Sequence, residues 1–188
     1  SCRFLWQRGR NESFFGASPE RLLSLRKGHL LTDALAGTAS RSNELSLLRS
    51  EKDLREHELV VGSIFHQLIS QGLSAYRPRR PQLARHGKLV HLHTPITANA
   101  RGHLPLHLAD VLHPTPAVAG LPRREAMIWL RTLEPFNRGN YAAPIGWIDS
   151  DGNAEFRVAI RSGNAIGKKL ELTAGAGLVR GSVPEKEL

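Results

Sequence analysis

Apolar residues recur at helical spacing over residues 50–71, where Leu54, Val61, Ile64 and Leu68 fall on one face. This predicts an amphipathic helix around which the rest of the chain is organised. Upstream, over residues 4–31, short apolar runs are broken by Gly, Asn, Ser and Pro, a pattern of antiparallel strands. Residues 32–41, TDALAGTASR, are small and read as a loop or as a place where backbone comes close to a ligand, with Gly37 as the permissive point. Downstream, residues 76–88 form a Pro-rich basic connector, and residues 89–96 alternate as a strand that puts His91 and His93 on one face. Residues 104–112 predict a short helix and 113–122 irregular structure. Residues 123–133 resume helical spacing, with Met127 and Trp129 expected in the core. Three strands follow at 145–148, 154–160 and 169–173, the first two joined by the hairpin signal DSDGN at 149–153.

Composition narrows the class. With 188 residues, 40% hydrophobic and 23% charged, the chain suits one domain with a sizeable core. Its net charge of +9 favours anionic partners of any kind. The most basic stretch, 76–88, holds one aromatic residue and no stacking pattern, so it reads as a solvated loop and no nucleic-acid partner is expected. The single cysteine, Cys2, excludes an internal disulfide and a Cys-rich metal site, which leans toward a reducing compartment. No apolar run approaches the roughly 18 residues of a membrane span and no signal-peptide pattern opens the chain, so a soluble, cytoplasmic location without a membrane partner is expected. The chain opens at Ser1 in a strand-like segment and stops at PEKEL, which resembles the start of a helix, so it reads as a piece cut at both ends.

Several residues are candidates for chemistry. Asp53 and Glu56 project from one side of the central helix and could face a hard cation, or simply form a solvated acidic first turn. Glu20 follows a Ser-Pro turn between apolar flanks; burial would raise its pKa and suit it to donate a proton, while exposure would leave it a turn acid paired with Arg21. His91 and His93 have metal-binding spacing without a third zinc ligand nearby, so a polar ligand contact ranks higher. Arg161 lies in the apolar run VAIRSG, and a Gly-rich loop at Gly175 and Gly177 precedes acids at Glu185 and Glu187. Neither a dinucleotide fingerprint nor a P-loop occurs. Read by themselves, these residues suit a metal-assisted site for a small anionic substrate.

The motifs GASPERLL, TDALAGTASR, KDLREHELVV, HLHTPI, LHPTPAVAGLP, EPFNRGNYAAPIGW, EFRVAIRSG and GAGLVRGSVPEKEL run in the order found in chorismate-utilising enzymes and resemble most the isochorismate synthases. The resemblance covers nearly the whole chain as the C-terminal portion of a chorismate-binding domain. It implies an α+β fold of antiparallel sheets packed as a sandwich with flanking helices. It also implies magnesium-dependent isomerisation of chorismate to isochorismate, for quinone or siderophore synthesis, by a monomer in the cytoplasm or plastid stroma. Aminodeoxychorismate-forming relatives carry a lysine where this chain has Ala36, and anthranilate synthases resemble PAGTLSGAPK where it reads PTPAVAGLP. Salicylate synthases share the remaining motifs and stand as the alternative enzyme, beside an inactive fragment that binds chorismate or a partner.

By the same resemblance, Glu20 is the general acid that protonates the departing C4 hydroxyl as water adds at C2. Glu56 and Glu187 are ligands of the magnesium ion, with Asp53 in support. Tyr141 and Arg161 hold the enolpyruvyl carboxylate, Gly175 offers its backbone to the same group, and Gly37, Thr38 and His91 line the pocket. The chain departs from the pattern in three places: Ala119 and Ala143 stand where glycine is usual, and Asn140 where an aromatic is common. The lysine that serves the family as general base belongs upstream of the SPE motif, outside these residues.

Overall fold

The computed structural model describes residues 2–183 and Glu185. The chain opens with β1 (Cys2–Gln7), β2 (Glu12–Ser18), β3 (Arg21–Arg26) and β4 (His29–Ser40). A 3-10 turn (Arg41–Asn43) and the single turn α1 (Glu44–Leu47) lead into α2 (Glu51–Ser70). Next come β5 (Ala75–Tyr76), β6 (Gln82–His86) and β7 (Leu89–Asn99), then α3 (Pro105–Leu112), α4 (Pro116–Ala119) and α5 (Arg123–Leu133). After these come β8 (Pro144–Ile148), β9 (Ala154–Val158), β10 (Ser162–Ile166) and β11 (Lys169–Thr173).

The strands form two antiparallel sheets, one of four strands ordered β1-β2-β10-β11 and one of seven ordered β5-β7-β4-β3-β9-β8, with β6 also on β7. The α+β fold with antiparallel sheets is therefore the observed one. The main core lies between the seven-stranded sheet and α2, α3 and α4. Val60, Val61, Ile64 and Leu68 of α2 meet Ala34 and Ala36 of β4, Ile96 of β7 and Leu108 of α3 there. Helix α2 starts where Ser50 accepts a hydrogen bond from the Asp53 backbone N–H (3.2 Å), a side-chain N-cap that satisfies one of the unpaired donors of the first turn.

Several local expectations change. Residues 32–40 belong to β4 and are not a loop: Leu30, Thr32, Ala34 and Ala36 alternate toward the core, and Ala34 and Ala36 are small where α2 packs against the strand. At Gly37 the pairing of β4 with β7 shifts register, φ is +76°, and an added Cβ would lie 3.2 Å from both Asp53 Cβ and Leu92 Cδ1. Glycine here makes a bulge that lets the start of α2 approach the sheet. The basic connector contains β6, which Gly87 turns back onto β7. SGNAI at 162–166 is a strand, β10, held between β2 and β11. Helix α5 buries none of its residues, and Trp129 is 63% exposed rather than in the core. In the four-stranded sheet Phe4 and Phe14 stack on one face with centroids 5.3 Å apart, while Leu5, Leu170 and Leu172 stand exposed on the other. Among the described residues no helix is long and apolar enough to cross a membrane.

Candidate active site

Two crossovers carry the chain between the sheets, and they lie side by side. At Pro19 and Glu20 it passes from β2 to β3, and at residues 159–161 it passes from β9 to β10. The Ala17 N–H donates to the Arg161 carbonyl (3.1 Å), the Val158 N–H to the Glu20 carbonyl (3.2 Å), and Ser18 Oγ to the Val158 carbonyl (2.6 Å). Arg161 itself takes φ +52°, an uncommon conformation for a non-glycine residue and one held here by these bonds. The corners thus set the backbones of an acid and a cation side by side at the seam of the two sheets.

A cleft of about 740 Å³ opens at that seam. Its walls bring together Glu20, Gly37, Thr38, Asp53, Glu56, His91, Tyr141, Arg161 and Gly175, which are nine of the ten residues singled out from the sequence. The tenth, Glu187, lies outside the described residues.

Glu20 is 5% exposed, and its Oε1 accepts a hydrogen bond from Thr115 Oγ1 at 3.2 Å. Burial raises its pKa to about 7; the Thr115 bond works against that rise and the negative charge of Asp33 adds to it. The buried alternative of the sequence reading is the one realised, and near neutral pH Glu20 holds a proton that an exposed carboxyl would have released.

Opposite it, His91 bridges Thr38 and Arg161. Arg161 Nη2 donates to His91 Nε2 (3.3 Å), which leaves the ring proton on Nδ1, where it is donated to Thr38 Oγ1 at 2.9 Å. Burial first, then the charge of Arg161, lowers the His91 pKa to about 4, so the ring is neutral and orients the guanidinium. His93 points to the same face of β7 but spends its Nε2 on Asp33 Oδ1 (2.9 Å). Tyr141 lies across the cleft, and a Cβ on Gly175 would sit 3.0 Å from its hydroxyl, so the phenol and that glycine's backbone face the same space.

Asp53 and Glu56 both line the cleft from the first turns of α2. A Cβ on Gly177 would lie 2.9 Å from Glu56 Oε1, so the loop after β11 makes room for that carboxylate. Among the described residues no set of three His, Cys, Asp or Glu is arranged around a common metal position. Among the lining or supporting residues not picked out from sequence are Thr115, Lys52 and Arg138. Each lies inside a motif quoted above, yet nothing in residue type or spacing marks it. Arg138 Nη1 donates to the Val118 carbonyl (2.6 Å) and Nη2 to Glu134 (2.6 Å), bracing the turn that presents Tyr141.

A buried acid, an oriented cation and two carboxylates of α2 line one cleft, on the fold of the chorismate-binding enzymes. The chain belongs to that family: the profile described as chorismate binding enzyme matches residues 1–188. It is 43% identical over 185 residues to isochorismate synthase MenF of Bacillus subtilis, covering 94% of this chain and 39% of that protein. It is 44% identical over 193 residues to the salicylate biosynthesis isochorismate synthase of Pseudomonas aeruginosa, covering 98% and 40%. Among solved structures, the putative 2,3-dihydroxybenzoate-specific isochorismate synthase DhbC of Bacillus anthracis superposes with TM-score 0.89 at 34% identity, over 98% of this chain and 52% of that one. Anthranilate synthase component I of Streptococcus pneumoniae, at 24% identity and TM-score 0.84, shares the fold. The chain thus spans about two fifths to one half of the length of these relatives.

Proposed function

We propose that this chain carries the acid and anion-binding half of an isochorismate synthase site, in which water adds at C2 of chorismate as the C4 hydroxyl leaves. The observation that carries this reading is the buried Glu20 set across one cleft from the His91–Arg161 pair. Glu20, protonated near neutral pH, gives its proton to the departing hydroxyl, and without that proton the leaving group would be hydroxide. Arg161 anchors the enolpyruvyl carboxylate through charge-assisted hydrogen bonds, helped by Tyr141 and the Gly175 backbone, while Gly37, Thr38 and His91 shape the surrounding wall. The proton acceptor that activates water is a lysine of the upstream half in the family pattern, and these residues do not supply it.

Magnesium fits the cleft. It binds through one or two carboxylates and completes its shell with water and substrate oxygens, and α2 offers Asp53 and Glu56 for that, with Glu187 the further ligand implied by resemblance. When bound, it neutralises a substrate carboxylate. The same reading makes the protein a cytoplasmic or plastid monomer acting on a small molecule, its product feeding quinone or siderophore synthesis. The names of relatives, among them the vibriobactin-specific isochorismate synthase of Vibrio cholerae, support that last step.

The test is proton NMR of chorismate with the protein and magnesium. Isochorismate as product supports the assignment, and salicylate with pyruvate moves it to a salicylate synthase. Magnesium-dependent broadening of chorismate without turnover supports a binding half that needs its upstream partner residues. In a version that turns over, Glu20→Gln is expected to lose activity by at least about a hundredfold, in line with general-acid contributions. Unchanged turnover would remove Glu20 from the mechanism.

A further inference from the structure

Directly after Glu20 in the chain comes Arg21, and a free guanidinium beside a buried carboxyl would favour the carboxylate and drive the proton off. The fold turns that cation away. Arg21 Nη1 donates to Asp33 Oδ2 at 2.9 Å and Nε to Glu155 Oε1 at 3.4 Å. Asp33 Oδ1 also accepts from His93 Nε2 at 2.9 Å, and Glu155 Oε1 from Arg157 Nη2 at 2.5 Å. Two arginines are thereby matched by two carboxylates within one half-buried cluster on β3, β4, β7 and β9, on the face of the sheet away from α2. Asp33 is 9% exposed, which is costly for a carboxylate unless it is paired and hydrogen-bonded, and both its oxygens are used.

We propose that Asp33 is a positioning residue for the proton on Glu20: it holds the Arg21 guanidinium away from the cleft and sets its own negative charge behind the acid. The remaining groups facing Glu20 are Thr115 across the α3–α4 connection, Tyr141 from the turn before β8, and the charged cleft residues Lys52, Asp53, Glu56, Arg138 and Arg161. None of these belongs to the cluster, so the contribution of Asp33 is separable from theirs. The alternation of β4 sends Ala34 and Ala36 to the core and Asp33 to the opposite face, which is why an acid in the middle of this strand reaches Arg21 rather than α2.

This inference rests on Glu20 as the proton-carrying acid, and the test is chosen to fail separately from that reading. The side-chain carboxyl carbon of Glu20 is followed by 13C NMR through a pH titration of the protein, its signal assigned by loss in Glu20→Gln. In Asp33→Asn the midpoint is expected to fall by about 0.5–1 pH unit, a three- to tenfold stronger acid. In Arg21→Met, which leaves the Asp33 charge without its partner, the midpoint is expected to hold or rise. His93→Gln keeps the Asp33–Arg21 pair and should leave it in place. A native-like Asp33→Asn spectrum with an unmoved midpoint would overturn the proposal, as would a fall in Arg21→Met, which decides the matter if Asp33→Asn does not fold. These midpoints are read without turnover, so a chain inactive toward chorismate leaves the result for Asp33 intact.

Discussion

Arg161 shows how much one side chain depends on its setting. Its backbone sits at φ +52° in a corner stapled to β2, and its guanidinium is aimed by a neutral imidazole. That preorganisation means little rotamer freedom remains to be lost when a carboxylate arrives. Arg161→Ala is therefore expected to weaken chorismate binding about ten- to a hundredfold, as loss of a charge-assisted pair does, whereas the exposed Arg124→Ala should change it less than about twofold. Substrate line broadening measures both. The same variant carries an internal check: with the neighbouring positive charge gone, the His91 pKa should rise from about 4, read from its ring proton shifts. An unmoved His91 and an unchanged affinity would together place Arg161 outside the site.

At the scale of elements, the features legible in the sequence were those fixed by local chemistry. The helix expected over 50–71 is α2 at Glu51–Ser70, because an apolar stripe and an N-cap serine both act within a few residues. The DSDGN turn is closed by Asp149, whose Oδ1 accepts the backbone N–H groups of Asp151 (3.0 Å) and Asn153 (2.8 Å). What stayed hidden was decided by distant partners. Small residues in β4 look like a loop until α2 is packed on them, and β6 and β10 carry little apolar pattern of their own because pairing with β7, β2 and β11 makes them strands. Trp129 illustrates the reverse error, since helical periodicity marks an apolar face but not what covers it. Gly37 tests the helix-on-sheet argument directly. Gly37→Ala must hold a strained φ and also push Asp53 and Leu92, so it is expected to destabilise the fold by about 1–3 kcal/mol. Gly87→Ala, at φ +63° with open space around it, should cost only the backbone part, about 1 kcal/mol. Urea unfolding of the two variants side by side gives the comparison, and equal losses would mean that α2 does not constrain the bulge.

For the molecule as a whole, the site is tied to folding stability through protons. Glu20 has a pKa of about 7 when folded and an ordinary value of 4.5 when the chain is open. Between those values the folded chain holds a proton that the unfolded chain has released, so stability falls as pH rises across the window and stays reduced above it. The full span corresponds to roughly 3 kcal/mol as an upper bound. The buried histidines act in the opposite sense. His57, whose Nε2 meets Thr94 Oγ1 at 2.7 Å, and His91 are each held near 4 against an ordinary 6.5, so their share of stability is intact above 6.5 and is lost as pH falls toward 4. Glu20→Gln isolates the first effect, because the amide keeps the shape and can still accept from Thr115 but has no proton to lose. Denaturant unfolding of both forms from pH 4 to 8 should show the variant gaining on the parent from about pH 4.5, with the difference levelling off above 7. A difference independent of pH would mean that Glu20 ionises in the folded chain as freely as in the unfolded one. The acid would then have no proton to give near neutrality, and the case for it as the donor to the leaving hydroxyl would fall with it.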